Sequence, residues 1–221
     1  MGIITGYISL ISFLLLAAKF AMRKMKIQKM NQFFKRLHKP VSCVFLLSCI
    51  IHLILVIPVL KTRNLLVTFS GYLGFGIAIL IILLCHMIKD GKKKMFWHRT
   101  LTLALLTAVV CHVIVYYMDF IHYKDSIQGI EITEIDISTI PDGNYVGDYN
   151  AGYIYAKVQV SVDKGQISDI KIIEHRNERG QKAESIISKI VDEQKLNVDA
   201  VSSATNSSLV IKKACENALR Q

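Results

Sequence analysis

Four histidines of this sequence form two pairs with the same spacing. His38 is followed by His52, and His98 by His112, each at an interval of fourteen residues. In a helix this interval ends about 40° short of four full turns and rises about 21 Å, so each pair lies along one stripe at two heights. Two such stripes on facing helices are what two bis-histidine haems need. Alternatively, each histidine is an interface residue bonded to a neighbouring helix, because polar groups at bilayer depth need partners.

A second chemical pattern lies near the carboxyl end of the sequence. Residues 199–206, Asp-Ala-Val-Ser-Ser-Ala-Thr-Asn, precede a segment with apolar residues at helical spacing. Ser, Thr and Asn are favoured N-cap residues, so one interpretation is an ordinary helix cap. The other is a phosphate site, since a helix start presents free amides and the positive end of the helix dipole.

Four apolar segments in the first half of the sequence are candidates for membrane helices. Each lacks Lys, Arg, Asp and Glu, and a helix needs about 17–25 residues to cross the hydrocarbon of a bilayer. The two middle segments reach this length alone, and the outer two reach it with flanking aromatic residues. The segments are residues 3–18, 41–60, 65–88 and 101–118.

The net charge of +10 is divided unevenly along the sequence. Residues 1–118 contain 15 Lys and Arg and one acidic residue, giving +14, whereas residues 119–221 contain 12 and 16, giving −4. The positive charge therefore flanks the apolar segments, where it is a signal of membrane topology. We do not expect nucleic acid to be a partner.

The basic residues also predict the orientation in the membrane. Eight lie within residues 19–39 and five within residues 89–99, but only Lys61 and Arg63 lie between the second and third apolar segments. Loops rich in Lys and Arg stay in the cytoplasm. The sequence therefore predicts a multi-pass protein of the bacterial cell membrane, with its N-terminus and its C-terminal domain outside the cytoplasm.

The last third of the sequence has the pattern of a small α+β domain. Apolar and polar residues alternate over residues 153–162, which predicts a half-buried strand, and residues 166–175 follow as its hairpin partner. Two segments with helical spacing come next, the last from about Asn206 to Leu219. Cys215 is the single cysteine of this domain, so it has no internal disulfide to form.

Together these patterns predict a membrane α-helical bundle joined to a small extracytoplasmic α+β domain. The predicted divisions are a four-helix transmembrane domain at residues 1–122, a linker at residues 123–140 and the exported domain at residues 141–221. The linker is predicted from its mixed polar composition.

Two of the membrane segments resemble the haem-bearing helices of the ferric-reductase-like transmembrane family. The similar stretches are FKRLHKPVSCVFLLSCIIHLIL, residues 34–55, and FWHRTLTLALLTAVVCHVIV, residues 96–115. Members carry a basic-flanked His and a second His thirteen intervening residues later on each of two helices. The resemblance implies two b-type haems with four axial iron ligands: His38, His52, His98 and His112. Because the second and fourth spans run in the same direction, His38 can face His98 and His52 can face His112.

The exported domain resembles the FMN-binding domain family. The similar stretches are DGNYVGDY, VSVDKGQISDIKIIEH and DAVSSATNSSLVIKKACENAL. That family includes the flavin subunits of sodium-pumping NADH:quinone reductases and of related ferredoxin-dependent complexes. In it, the Thr that closes an Asp-x-x-Ser-x-Ala-Thr motif receives FMN through a phosphoester bond, made outside the cytoplasm by a flavin transferase that uses FAD.

Carried over to this sequence, the resemblance implies that Thr205 is the FMN acceptor. The other motif positions expected to bind FMN are Asp199, Ser202, Ser203, Ala204 and Asn206. Ser203 departs from the family pattern, because the commonest family residue there is Gly. Gly tolerates a positive φ that Ser resists.

The two halves suggest transmembrane electron transfer by an oxidoreductase component. Electrons would enter from quinol or a cytoplasmic reductase, pass through the two haems to FMN, and leave to an extracytoplasmic acceptor. One alternative is a haem-free, membrane-anchored flavin subunit of a larger redox complex. The other, of a different class, is a non-enzymatic sensor or assembly factor with an FMN-like ligand domain.

Overall fold

A computed structural model describes residues 2–24 and 28–221. The chain forms two compact units. The helical unit comprises Met1–Leu60 and Leu65–Tyr116, and the mixed unit comprises Lys61–Asn64 and Tyr117–Gln221. Lys26, one of the eight basic residues of the predicted cytoplasmic loop, lies outside the described residues.

Four long helices build the helical unit, as the sequence predicts. They are α1 (Gly2–Lys24), α2 (Gln28–Val56), α3 (Leu65–Met87) and α4 (Gly91–Gln128). All four are long and apolar enough to cross a membrane. Three of them extend beyond the predicted segments: α1 continues to Lys24, α2 starts before its apolar run and continues through Pro40, although it ends at Val56, and α4 starts at Gly91 and continues past Met118.

The helical unit buries few side chains and exposes many apolar ones. Phe13, Ala78 and Leu105 form a small buried cluster. By contrast, the side chains of Leu65 and Leu103 are 79% and 65% exposed. Extended apolar surfaces of this kind mark contact with lipid or with other proteins, since water disfavours them. The surface is therefore compatible with a membrane protein.

A three-stranded antiparallel sheet is the centre of the mixed unit. Its strands are β1 (Gly143–Asn150), β2 (Tyr155–Asp163) and β3 (Gln166–Arg176), in the spatial order β1-β2-β3. Buried and half-buried residues alternate along β2, which confirms the predicted half-buried strand. The β2–β3 turn has positive φ at Lys164 and Gly165, as two-residue hairpin turns require.

Two helices follow the sheet, α5 (Ile186–Glu193) and α6 (Thr205–Leu219). A 3-10 turn, Gln181–Ser185, leads into α5. Helix α6 packs on β1 so closely that a β-carbon on Gly147 would lie 2.4 Å from the carbonyl oxygen of Ala214. Only glycine fits at that position of the strand.

The predicted linker contributes to the core of the mixed unit. Helix α4 continues to Gln128, and Ile127 and Ile137 are buried in the same cluster as the inner faces of β2 and α6. The buried carboxylate of Glu216 on α6 accepts a hydrogen bond from the backbone amide of Thr133. These contacts fasten the segment to the domain.

Candidate functional site

The inner histidines, His38 on α2 and His98 on α4, lie face to edge in the helical unit. Their ring centroids are 6.1 Å apart and their planes are inclined at 85°. A metal ion held about 2 Å from one nitrogen of each ring would separate the centroids by roughly 6 Å. The pair therefore has the spacing for two axial ligands of one iron.

The outer histidines are each held through Nδ1 by the helix that precedes their own. His52 Nδ1 lies 2.8 Å from the carbonyl oxygen of Gly2 on α1. A carbonyl only accepts, so Nδ1 carries the proton and Nε2 keeps a free lone pair. Binding through one ring nitrogen while the other donates to a carbonyl is the usual arrangement of metal-ligating histidine.

The same reasoning fixes the tautomer of His112. Its Nδ1 lies 2.9 Å from the hydroxyl oxygen of Ser70 on α3, and that hydroxyl donates its proton to the carbonyl of Val67. Ser70 must therefore accept from His112, which again leaves Nε2 free to bind a metal.

A glycine faces each outer imidazole. A β-carbon on Gly6 would lie 3.1 Å from Cε1 of His52, and one on Gly71 would lie 3.2 Å from Cε1 of His112. The sequence analysis missed these two glycines. Each glycine lies on the helix that precedes the histidine-bearing helix. This pattern becomes a signal only when it is known which helices pack against each other.

Beyond these pairs, residues 2–24 and 28–221 contain no group of three or more His, Cys, Asp and Glu side chains that could hold a metal ion. A haem needs only axial ligands from the protein, because the porphyrin supplies the other ligands of the iron. An apolar pocket does open beside His38. It is lined by Leu15, Leu16, Lys19, Phe34, Leu37, His38 and Val41.

In the mixed unit, the hydroxyl-rich motif ends at the first turn of α6. Thr205 is the first residue of the helix and is exposed, as are Ser202, Ser203 and Asn206. The N-cap residue is Ala204, which is buried, and no side chain caps the helix. The interpretation of this motif as an ordinary helix cap is therefore wrong. The uncapped first turn can offer its amides to an anion.

Two buried polar side chains of α6 form hydrogen bonds with the backbone of the motif loop, the segment of residues 198–204 that precedes the helix. The hydroxyl of Ser208 accepts from the amide of Val201 and donates to the carbonyl of Ala204, both at 3.1 Å. Lys212 is 4% exposed and donates to the carbonyl of Val198 at 2.9 Å. Burial lowers the pKa of Lys212. Sequence reasoning missed both residues, although polar residues four apart on an otherwise apolar helix face are a signal.

The conformation of Ser203 matches its place in the motif. Its φ is +65°, in the left-handed region that favours glycine. This is the position at which the sequence departs from the glycine that the resemblance leads us to expect. A non-glycine residue in this region costs about 1–2 kcal/mol, so the loop keeps the glycine-type turn at some expense in stability.

A neighbouring loop supports the first turn of α6. A β-carbon on Gly180 would lie 1.9 Å from the hydroxyl oxygen of Ser207, which is buried and has no hydrogen-bond partner in the described part of the chain. Asn177 fixes this loop by accepting from the amide of Gly180 at 2.8 Å. Gly180 thus allows the loop to reach the helix start.

Asp199, the first residue of the motif, is exposed. Its carboxylate acts to raise the pKa of Lys212 and of Lys195. Asn206 instead turns to the end of α4, where it donates to the hydroxyl of Tyr123 at 2.9 Å. The motif residues thus differ in their surroundings: four hydroxyl and amide side chains are exposed at the helix start, whereas Asp199 interacts electrostatically with the buried Lys212.

Comparison with known proteins gives a family match within the mixed unit. Residues 151–220 match the family model described as the FMN-binding domain. Comparison with curated proteins gave no match, and comparison with solved structures gave none either. The match confirms the FMN-binding part of the predicted resemblance and supports a flavin-binding role. The ferric-reductase-like resemblance of the helical unit remains a prediction.

Proposed function

We propose that this protein carries electrons across a bacterial cell membrane, through two haems in its helical unit, to an FMN bound at Thr205 outside the cytoplasm. Quinol or a cytoplasmic reductase is the donor, and an extracytoplasmic acceptor receives the electrons. The observation that carries the flavin part is the family match over residues 151–220, which includes the exposed, uncapped start of α6.

Thr205 is the residue that would bear the flavin. Its side chain is exposed, so a flavin transferase can reach its hydroxyl. The amides of the first turn of α6 and the positive end of its dipole would stabilise the phosphoester. Bound FMN supplies one- and two-electron redox chemistry, while the chain supplies attachment and orientation.

The haem part rests on the histidines of the helical unit. His38 and His98 have the spacing for one iron, and His52 and His112 each present Nε2 because Nδ1 is engaged. Four long apolar helices around these rings would exclude water from them. The two pairs would hold two b-type haems at different heights.

Mass spectrometry tests the flavin part. We expect intact protein coproduced with a flavin transferase to carry one FMN-sized adduct, which Thr205→Ala removes and Thr205→Ser retains. Ser202→Ala is the matched control, since it removes another exposed hydroxyl of the same loop. Wild-type protein without an adduct, or an adduct that survives Thr205→Ala, would contradict attachment at this residue.

An optical spectrum tests the haem part. We expect the detergent-solubilised protein to show b-type bands when dithionite-reduced and oxidised samples are compared. His112→Ala should remove about half of the haem, and His122→Ala, the control further along α4, should remove none. Absence of b-type bands from wild-type protein would leave the second candidate function, a haem-free anchored flavin subunit. The family match covers residues 151–220 and none of the helical unit, which favours that candidate.

A further inference from the structure

The mixed unit contains a cluster of buried polar atoms that its own fold satisfies poorly. Asp119 and Arg63 both act on the phenol of Tyr153, but three side-chain atoms make no hydrogen bond of good geometry in the part of the chain that the structure describes: Nη1 of Arg63, Oη of Tyr153 and Oδ2 of Asp119. Buried polar atoms are hydrogen-bonded in the great majority of cases, so each exception needs an explanation. A ligand with polar atoms would supply the missing partners.

The three residues are held together around the ring of Tyr153. The guanidinium carbon of Arg63 lies 3.6 Å from the ring centroid, and the ring of Tyr123 stacks on Tyr153 at 4.5 Å and 14°. At these distances the guanidinium of Arg63 and the ring of Tyr123 cannot both lie on the same face of Tyr153. They therefore lie on opposite faces of its ring. The side chain of Arg63 is only 13% exposed and pairs through Nη2 with Glu178. Nη1 is left without an acceptor.

Burial and the carboxylate of Asp119 together raise the pKa of Tyr153. Its phenol therefore stays protonated and remains a potential hydrogen-bond donor. The cluster thus combines a cation, an aromatic pair, a phenol and a carboxylate, all within the mixed unit.

Two connections join this cluster to the start of α6. Asn206, the residue after Thr205, donates to the hydroxyl of Tyr123 at 2.9 Å. Glu178, the partner of Arg63, belongs to the same loop as Gly180, which abuts Ser207 in the first turn of α6. Asn206 and the loop of Glu178 and Gly180 therefore each connect the cluster to the first turn of α6, where the phosphate is proposed to bind.

We propose that Arg63, with Tyr123 and Tyr153, forms the subsite for the flavin ring, and that Arg63 stabilises the negative charge of the reduced ring. This inference rests on the proposed flavin function. Two electrons from the donor and one proton from solvent convert the oxidised ring to a reduced anion, whose charge lies on its N1 and O2 atoms. A guanidinium with a free N–H in a buried site favours that anion over the neutral oxidised ring.

The position of Arg63 in the sequence agrees with this role. It lies in the short segment Lys61–Asn64, which is grouped with the mixed unit although it joins two helices of the helical unit. The neighbouring Lys61 is exposed. The two basic residues of this segment therefore form a matched pair, one buried against Tyr153 and one at the surface.

Redox titration of the full-length, flavin-loaded protein, followed by flavin fluorescence, tests the subsite. We expect Arg63→Gln to lower the midpoint potential of the flavin, which corresponds to about a tenfold smaller ratio of reduced to oxidised flavin at a fixed solution potential. Lys61→Gln, with the same change in charge, should leave the potential unchanged. Glu178→Gln should raise the potential, because it leaves the charge of Arg63 uncompensated.

The signs separate this role from a purely structural one. Mere loosening of the site would move both potentials in the same direction, so opposite shifts for Arg63→Gln and Glu178→Gln support the subsite even if one variant is less stable. Unchanged potentials in both variants, with the adduct present by mass, would overturn the subsite and leave the proposed function intact. Wild-type protein without flavin would overturn both.

Discussion

Gly71 on α3 faces the imidazole of His112 on α4, and a β-carbon on this glycine would lie 3.2 Å from Cε1 of the ring. Gly6 on α1 has the same relationship to His52 on α2, at 3.1 Å. Contacts this short leave no room for a methyl group unless the ring moves by a few tenths of an ångström. In both cases the preceding helix therefore fixes the imidazole ring in two ways: a glycine packs against one side of the ring, and a hydrogen bond engages Nδ1.

If His112 is a haem ligand, Gly71→Ala should weaken haem retention. The added methyl group would displace the ring, and losses of supporting contacts around metal ligands typically cost about tenfold or more in affinity. The ratio of haem to protein after prolonged detergent washing measures the effect. Gly76→Ala is the control, because nothing lies within 4 Å of a β-carbon at that position of the same helix. Equal haem ratios in the two variants would contradict a positioning role for Gly71.

Replacing Ser203 by glycine should stabilise the motif loop. Ser203 has a φ of +65°, and relief of the left-handed conformation is worth about 1–2 kcal/mol, offset by about 0.4–1 kcal/mol of added chain entropy in the unfolded state. Hydrogen exchange of the α6 amides in the full-length protein should slow in Ser203→Gly. The neighbouring Ser202 does not have a positive φ, so Ser202→Gly relieves no strain and only adds chain entropy to the unfolded state. It should therefore speed the exchange of the α6 amides. Faster exchange in Ser203→Gly would show that the serine is not strained.

The sequence reveals the parts of this fold that depend on local pattern. Alternation over residues 153–162 predicts β2, and apolar spacing predicts α6 to within one residue of its start. The site is only partly visible, because its other contacts join distant residues. Arg63 and Glu178 are 115 positions apart, and no local pattern links them. The polar residues after Met118 likewise conceal that α4 continues into the core of the mixed unit.

The close approach of α6 to β1 predicts a severe effect of Gly147→Ala. The β-carbon would lie 2.3 Å from the amide nitrogen of Ala218, and backbone atoms of a packed helix cannot move without opening the sheet. Overpacking of this kind costs about 1–3 kcal/mol or more. Thermal unfolding followed by flavin fluorescence should show a lower midpoint. Gly143→Ala, in the same strand with its nearest neighbour at 3.6 Å, should differ little from wild type, and similar midpoints for both variants would disprove the close packing.

Cys215 gives the mixed unit a pH-dependent term in its stability. The thiol is fully buried in α6, and burial raises its pKa from 9.0 to about 12. The folded state therefore keeps the thiol proton at pH values where the unfolded chain has lost it. Because the unfolded state then binds fewer protons than the folded state, stability falls as the pH rises from about 9 towards 12, by up to about 1.4 kcal/mol per pH unit.

The variant Cys215→Ala should lack this decline, so the difference in unfolding free energy between wild type and variant should shrink steadily between pH 8.5 and about 10.5. Chemical denaturation at several pH values measures it, and the other titrating groups cancel because both proteins contain them. Alkylation gives an independent check: Cys215 should react with iodoacetamide at pH 8.5 only after denaturation, since the native thiol is protonated and buried. Rapid alkylation of Cys215 in the native protein, or a difference in stability that does not change with pH, would contradict the burial of this thiol.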